Sequence, residues 1–397
     1  MKVLFLAPQP YFIDRGTPID VDIMARALSD HGHQVDLVCY PDGRERNYDG
    51  LTVHRVRAPN WLRGSPPGFS LRKVGLDLLM APLAFRLARR GQYDVVHAGE
   101  EAVFLAMALK RVFGLPYVYD MDSSIAQQLV EQMGALGPLA SVFDWFEGRA
   151  IRGALAAAPV CNALAELAHA QRAAFVETLH DISQLENPTR AATGFLRERL
   201  GIDTPILMYV GNLQPYQGVD LLLDSCAVAL GSGTRFDLVI AGGNDKDIER
   251  YRGRAKELGI DRRIHFLGPW PVDELDVLLA EADILTAPRI KGVNTPMKVF
   301  PYMHTGKPVL VTDLKTHSQI LDSSVAVLAP PEPEGFGREI SRLVEDEGLR
   351  DRIGRRGHEF VEKGHTYPAH RARVARLYAF VAEAAGLDAD HSVSLGA

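Results

Sequence analysis

Three cysteines in 397 residues, Cys39, Cys161 and Cys226, are too few and too scattered for a disulfide framework. Each stands in an apolar stretch and none forms a Cys-x-x-Cys pair, so a cysteine-ligated zinc site is not expected and a reducing, cytoplasmic setting is. Positive charge is not in excess either: 44 Lys and Arg against 50 Asp and Glu give a formal net charge of -6. Without a global attraction to polyanions, nucleic acid is not an expected partner, and any anionic ligand must be held by a local site. Long apolar runs are missing too. The opening MKVLFLAPQP meets Pro8 and Pro10 after a few apolar residues, which suits a first strand rather than a signal or a membrane span. No internal repeat of roughly 20–50 residues is visible.

What is present is an ordinary globular composition, 47% hydrophobic and 24% charged, on a chain long enough for two domains. Short β-branched runs (Val3 to Ala7, Val35 to Val38, Leu51 to Val56, Val95 to His97, Tyr117 to Tyr119) alternate with amphipathic stretches. That alternation predicts a parallel sheet wound on both faces. The stretch DVVH, then AVFLAMALKRVFG, then LPYVYD reads as a β-α-β unit whose helix stops at Gly114. A second cycle starts near Ile206, with ILMYVGN, GVDLLLDSCAVAL and FDLVIAGG. Pro188 disfavours helix at Asn187, so a hinge is expected there. The domains are expected at 1–186 and 187–370, with 371–397 a terminal helix and frayed tail.

In a doubly wound sheet, ligands bind in the loops that follow the strands. The first such loop, DRGTPIDVD, offers Gly16 for close approach, Thr17 as a helix cap and Pro18 as a first helical residue. Its helix end either holds a phosphate or is an ordinary cap, with Asp20 and Asp22 already answering the dipole. In YVYDMDSS, Asp120, Asp122, Ser123 and Ser124 either meet sugar hydroxyls or Ser123 or Ser124 merely caps the next helix; His97 is either ligand-facing or a satisfied core histidine. In VGNLQPYQGVD, Asn212 and Gln217 supply neutral donors between Gly211 and Gly218, and Gly242 and Gly243 either admit a ring close to the backbone or make a plain turn.

The most informative stretch is ADILTAPRIKGVNTPMKVFPYMHTGKPVLVTD. Asn294, Thr295 and Pro296 are expected to open a helix, with Thr295 as cap and Pro296 in the first position. Arg289, Lys291 and Lys298 would then surround free N–H groups at the end of a dipole, a site for a diphosphate. Pro301, inside that helix, predicts a kink costing about 3 kcal/mol.

In order along the chain, RGTPIDVDIMARALSDHGHQVDLV, YDVVHAG, ENPTRAATGFLRERLGI, YVGNLQPYQGVDLLLDS, LVIAGGND, IHFLGPW and NTPMKVFPYMHTGKPVLVTD resemble the motifs of family-4 glycosyltransferases. The resemblance implies a GT-B fold: two Rossmann-like, doubly wound parallel-sheet α/β domains facing a central cleft. It also implies a retaining, metal-independent transfer of a sugar from a nucleotide-diphosphate sugar, held mainly by the carboxyl-terminal domain. No cofactor is implied beyond that co-substrate, and the acceptor would be a glycan, a lipid-linked sugar or a small molecule. Arg289 and Lys298 would stabilise the departing diphosphate and Asp122 would contact the sugar, joined by His97, Asp120 and Ser123. Gly16, Thr17, Asn212, Gln217, Gly218, Gly242, Gly243, Asn294, Thr295 and Pro296 would line the donor.

The sequence departs from the family at specific places. Asn212 and Gln217 stand where an Arg and a Lys are usual, Val293 and Pro301 where two glutamates are, and Asp122 where a His is. The departures keep two other readings open, a catalytically silent GT-B protein that binds a sugar nucleotide or a partner, and a sugar-nucleotide epimerase. The stretch from Asn60 to Gln92, with Trp61, Leu62, Phe69, Arg63, Arg72, Lys73, Arg86, Arg89 and Arg90, reads either as a core helix with solvated arginines or as a face for peripheral contact with the inner leaflet.

Overall fold

The computed structural model describes residues 1–13, 16–64, 70–123 and 140–387. They gather into two compact units, one of residues 1–180 and 370–397, the other of 181–369. From His370 onward the last helix, Tyr367–Ala384, therefore belongs with the amino-terminal unit.

Unit 1 holds a six-stranded, all-parallel sheet of β1 (Lys2–Pro10), β2 (Gln34–Tyr40), β3 (Leu51–Arg55), β4 (Val95–Gly99), β5 (Tyr117–Met121) and β6 (Ala156–Pro159), in the order β3-β2-β1-β4-β5-β6. Unit 2 repeats the plan with β7 (Ile206–Val210), β8 (Asp237–Ala241), β9 (Ile264–Gly268), β10 (Ile284–Ala287), β11 (Val309–Thr312) and β12 (Val327–Ala329), in the order β12-β11-β10-β7-β8-β9. In each unit the first strand pairs with the second on one side and the fourth on the other. The winding direction reverses at that pair, β1/β4 and β7/β10, and a crevice opens there at the carboxyl ends of the strands.

The inner strands are mostly buried, β4 and β8 at every residue, as strands covered on both faces must be. The expected stop at Gly114 holds: it is left-handed, with φ 72°, and its N–H donates to the Lys110 carbonyl at 2.9 Å. Strand β6, Ala156–Pro159, gave no signal in the sequence. Three alanines carry little strand preference, and only pairing with β5 under full burial makes them a strand.

Candidate active site: the two switch points

In unit 2 the loop after β7 and the segment after β10 meet at the reversal. The β7 loop is pinned by tyrosines. Tyr302 Oη accepts from the Val210 N–H at 2.7 Å and donates to the Val210 carbonyl at 2.8 Å, while Tyr209 Oη donates to the Asn212 carbonyl at 2.6 Å. Gly242 has φ 107°, and a Cβ there would fall 2.2 Å from the Gly211 carbonyl oxygen; at Gly218, φ 76°, it would fall 1.9 Å from the Pro288 carbonyl oxygen. Only glycine lets these three loops close on one another. Gly243 turns against Leu213, Gln217 is buried, and Asn212 is exposed, its Oδ1 accepting from the Gln214 N–H at 3.2 Å.

Lys298 reaches into this assembly. Its Nζ donates to Tyr209 Oη at 2.9 Å and lies 4.0 Å from the centroid of the same ring. Desolvation, reinforced by the like charge of Arg289, pushes the ammonium down to about 7. Arg289 Nε donates to the Lys291 carbonyl at 2.7 Å, and its guanidinium lies 5.4 Å from the Tyr216 ring centroid. Lys291 itself is exposed.

Helix-capping side chains do not shape the segment. Thr316 Oγ1 donates to the Asn294 carbonyl at 2.6 Å, Gln319 Nε2 to the Val293 carbonyl at 2.7 Å and to Thr295 Oγ1 at 3.2 Å, and Thr312 Oγ1 to the Arg289 carbonyl at 2.5 Å. His317 is wholly buried beside them. Its Nδ1 lies 3.0 Å from the Thr312 carbonyl, and Nε2 has no hydrogen-bond partner among the described residues. Burial, with smaller contributions from the Arg289 and Lys298 charges, holds it down at about 3, so the ring is neutral.

Unit 1 builds the opposite charge at its switch point. Gln9, at the end of β1, donates from Nε2 to Glu100 Oε2 at 2.6 Å, just past β4. Lys73 Nζ sits 2.9 Å from Glu100 Oε2 and 2.7 Å from Glu101 Oε1, and Tyr40 Oη donates to Asp77 Oδ1 at 2.6 Å. Burial and the neighbouring Glu100 push the Glu101 carboxyl up to about 8, against the pull of Lys73. Glu100 has φ 45°, a left-handed conformation that a non-glycine residue holds only at a cost of about 1–3 kcal/mol. Strained residues of that kind concentrate where ligands are handled.

Two family models match the chain, one described as Glycosyl transferase 4-like domain over residues 16–179 and one as Glycosyl transferases group 1 over residues 194–360. The chain belongs to the GT-B glycosyltransferases. Among curated relatives it is similar to a D-inositol 3-phosphate glycosyltransferase of Corynebacterium glutamicum (strain R), 27% identical over 47% of this chain and 46% of that one. It is also similar to an alpha-D-kanosaminyltransferase of Streptomyces kanamyceticus, 23% identical over 70% of this chain and 74% of that one. The chain spans about half the length of the inositol-phosphate relatives that it matches. In fold it is similar to a sucrose-phosphate synthase from Thermosynechococcus elongatus, with a TM-score of 0.76 and 16% identity over 96% of this chain and 99% of that one. Anabaena HepE, solved in complex with UDP, gives a TM-score of 0.74 at 16% identity over 96% and 100% of the two chains.

Several expectations for this GT-B glycosyltransferase need correction. The helix expected to open at Thr295 and Pro296 is Val299–His304, with Lys298 at its N-cap; buried Thr295 is bonded to Gln319 and does not cap it. With only six residues and buried Val299, Phe300, Tyr302 and Met303, the helix is held by packing, and the cations act as side chains. Pro301 is therefore the third helical residue, in the first turn, where a missing N–H costs little, so the expected cost of an interior proline does not apply.

In unit 1 the first helix starts at Gly16 and not after a Thr17 cap, so Asp20 and Asp22 fall beyond its first turn. Asp22 instead accepts from Tyr11 Oη at 2.9 Å and Tyr48 Oη at 3.0 Å. His97 is wholly buried with Nε2 3.1 Å from Asp120 Oδ2 and Nδ1 3.0 Å from Tyr378 Oη, which leaves no ring nitrogen for a sugar. It is a core histidine, and Asp120 is its partner. Asp122 and Ser123 lie half-buried in the bend after β5, and Ser124 lies outside the described residues. Lys73 is taken up by its two glutamates, so it adds nothing to a basic face. Tyr209, His317, Lys73, Glu100 and Glu101 are not among the site residues expected from the sequence; the signal that could have found the last two is the charge pair directly after the buried strand in HAGEE.

Proposed function

We propose that the chain transfers a sugar, with retention and without a metal at the reacting atoms, from a nucleotide-diphosphate sugar to a hydroxyl-bearing acceptor. The observation that carries this reading is the meeting of Arg289 and Lys298 at the β7/β10 switch point, where Lys298 is desolvated beside a like charge. The Arg289 charge disfavours the Lys298 ammonium, and an anionic ligand would favour it. As the glycosidic bond breaks, negative charge grows on the leaving diphosphate, and fixed positive groups in a poorly solvated site lower that barrier most. Asn294, Thr295, Pro296 and the turns at Gly211, Gly218, Gly242 and Gly243 would line the donor, and Asp122 and Ser123 would contact sugar hydroxyls.

Unit 1 supports an acceptor without phosphate. Its switch point gathers Glu100, Glu101 and Asp77 around Lys73, which suits neutral or amine-bearing sugars. A thermal-shift screen of UDP-, GDP-, ADP- and TDP-sugars should find one donor class that raises Tm, because a ligand of the native state stabilises it by mass action. Incubation of that donor with neutral, amino and phosphorylated sugars, read by mass spectrometry, should give product with the first two. Saturable donor binding with no product would instead mark a silent sugar-nucleotide-binding protein, the reading that Asn212, Gln217, Val293 and Pro301 keep open.

Among the described residues, no helix is long and apolar enough to cross a membrane. Helix Leu71–Arg90 nevertheless turns Val74 and Leu78 outward, one turn apart, with exposed Arg72, Arg86, Arg89 and Arg90 around them. We propose peripheral contact of this face with anionic lipid at the cytoplasmic leaflet. Absence of cosedimentation with phosphatidylserine vesicles would remove it.

A further inference from the structure

Away from both switch points, three potential metal ligands converge in unit 2: His304, His358 and Glu362, whose ligand atoms all lie within 4.8 Å of one another. His304 ends the short helix that begins after Lys298. His358 and Glu362 are four residues apart on helix Glu347–Gly364, so both face the same way. The two helices approach closely because Gly354 has no side chain; a Cβ there would lie 2.0 Å from the Gly306 carbonyl oxygen.

The outer hydrogen bonds are those of ligands held in place. His358 Nδ1 lies 2.6 Å from the His304 carbonyl oxygen, which can only accept, so Nδ1 carries the proton and the Nε2 lone pair is free. His304 Nδ1 meets Ser183 Oγ at 2.9 Å, turning its Nε2 toward the same point. Glu362 Oε1 is 2.9 Å from His304 Nε2 and 3.9 Å from His358 Nε2. Metal-bound histidines nearly always donate their second N–H to an oxygen in this manner. Glu362 is 53% exposed, so water has access to complete the coordination shell.

We infer that His304 Nε2, His358 Nε2 and the Glu362 carboxylate form a binding site for a divalent transition-metal ion of the Zn2+ class. Two imidazoles and one carboxylate suit Zn2+ at bonds of about 2.0–2.2 Å and do not suit Mg2+ or Ca2+, which take oxygen shells. Binding replaces the His304–Glu362 hydrogen bond with two metal bonds; the proton between them passes to His304 Nδ1 or to water. The ion would staple the last helix of the unit onto Val299–His304. Six residues of helix, about 9 Å, separate this point from Lys298, so the role is structural and leaves the proposed transfer metal-free at the reacting atoms.

The test uses the full chain, stripped with EDTA and dialysed. ZnCl2 should bind with one equivalent per chain by calorimetry and raise Tm, MgCl2 should do neither, and Co2+ should give visible d–d bands of a nitrogen-ligated site. The partly exposed positions allow His358→Gln and Glu362→Gln without emptying the core. Each variant should melt like the stripped parent and bind Zn2+ about a hundredfold more weakly or worse, since loss of even an outer partner costs roughly 10–100-fold. Stoichiometric Zn2+ binding retained in both variants, or no binding to the parent, overturns the site. Donor binding and transfer are unaffected by either result, so failure here is separable from failure of the proposed function.

Discussion

The two units use one strand order and opposite charges. At β7/β10 the groups facing the reversal are Arg289 and Lys298; at β1/β4 they are Glu100, Glu101 and Asp77, with Lys73 clamped among them. Topology thus supplies the crevice in both units, and the residues just past the strands give the two crevices different charge. The manner of burial differs as well. Lys73 has two carboxylates within 2.9 Å, whereas Lys298 has a tyrosine hydroxyl and a like-charged neighbour. Carboxylates hold the Lys73 ammonium charged, whereas burial and the Arg289 charge disfavour the Lys298 ammonium, which an anionic donor would favour under the proposed function.

The sharpest way to break the comparison is to remove the unit 2 cations. Arg289→Ala with Lys298→Ala should lower kcat for transfer by roughly 10³-fold or more, the scale expected when preorganised positive groups at a developing charge are lost. The fold should persist, because neither side chain belongs to the core. Near-normal turnover would show that the charge contrast has no bearing on catalysis.

Lys73→Met tests the other half. It leaves Glu100 buried without its cation, and breaking a buried pair from one side costs about 3 kcal/mol or more. Thermal or urea unfolding should register the loss as destabilisation, in contrast with the Arg289/Lys298 pair, whose removal relieves repulsion. Equal stability of Lys73→Met and the parent would mean that the unit 1 cluster is solvated and not a closed network.

How much of this contrast was legible beforehand follows from what each signal depends on. The alternation of strands and helices is local, and ten of the twelve strands lie on runs visible as motifs or β-branched stretches; Ala156–Pro159 is a strand only by its neighbours. Arg289 and Lys298 stood out because they flank a strand end and a turn. His317 did not, since its environment depends on burial and on charges, Arg289 and Lys298, that lie far back along the chain. Glu100 and Lys73 are 27 residues apart and meet only through the winding of the sheet. The same holds for the metal ligands: HEFVE shows the four-residue spacing, but nothing local brings His304 to it. The helix start at Val299 was misjudged because Thr-Pro is a good capping pair in isolation, while Gln319 and Thr316 hold that stretch in an extended turn.

A smaller effect follows from the acidity of Lys298. The group sits at about 7 in the free protein, and an anion favours its protonated form. Donor affinity should therefore be level below about pH 7 and fall by as much as about tenfold per unit above it, with proton uptake visible as a buffer-dependent enthalpy of binding. Stability moves the other way. The folded value lies below the unfolded lysine value, so the unfolded chain binds more protons between them, and the free protein gains stability as pH rises through that window. Lys298→Arg, with a guanidinium charged throughout, should remove both slopes. Parallel slopes in affinity and stability would contradict the assignment.

The smallest expected effect separates two accounts of how the cationic site is built. Were Pro301 a kink in the interior of a helix, Pro301→Ala would restore a hydrogen bond and stabilise the protein by about 3 kcal/mol. At the third position of Val299–His304 an added N–H would find only carbonyls already in use, because the Phe300 N–H takes the Met297 carbonyl at 3.3 Å and the Tyr302 N–H takes the Lys298 carbonyl at 3.2 Å. Proline also limits the unfolded chain, so the alanine variant should be neutral or destabilised by less than about 1 kcal/mol in urea unfolding. A gain near 3 kcal/mol would mean that the helix extends back over Pro296 and Lys298. The site would then draw on a helix dipole as well as on its side-chain charges, and the contrast with unit 1 would rest on backbone as much as on sequence.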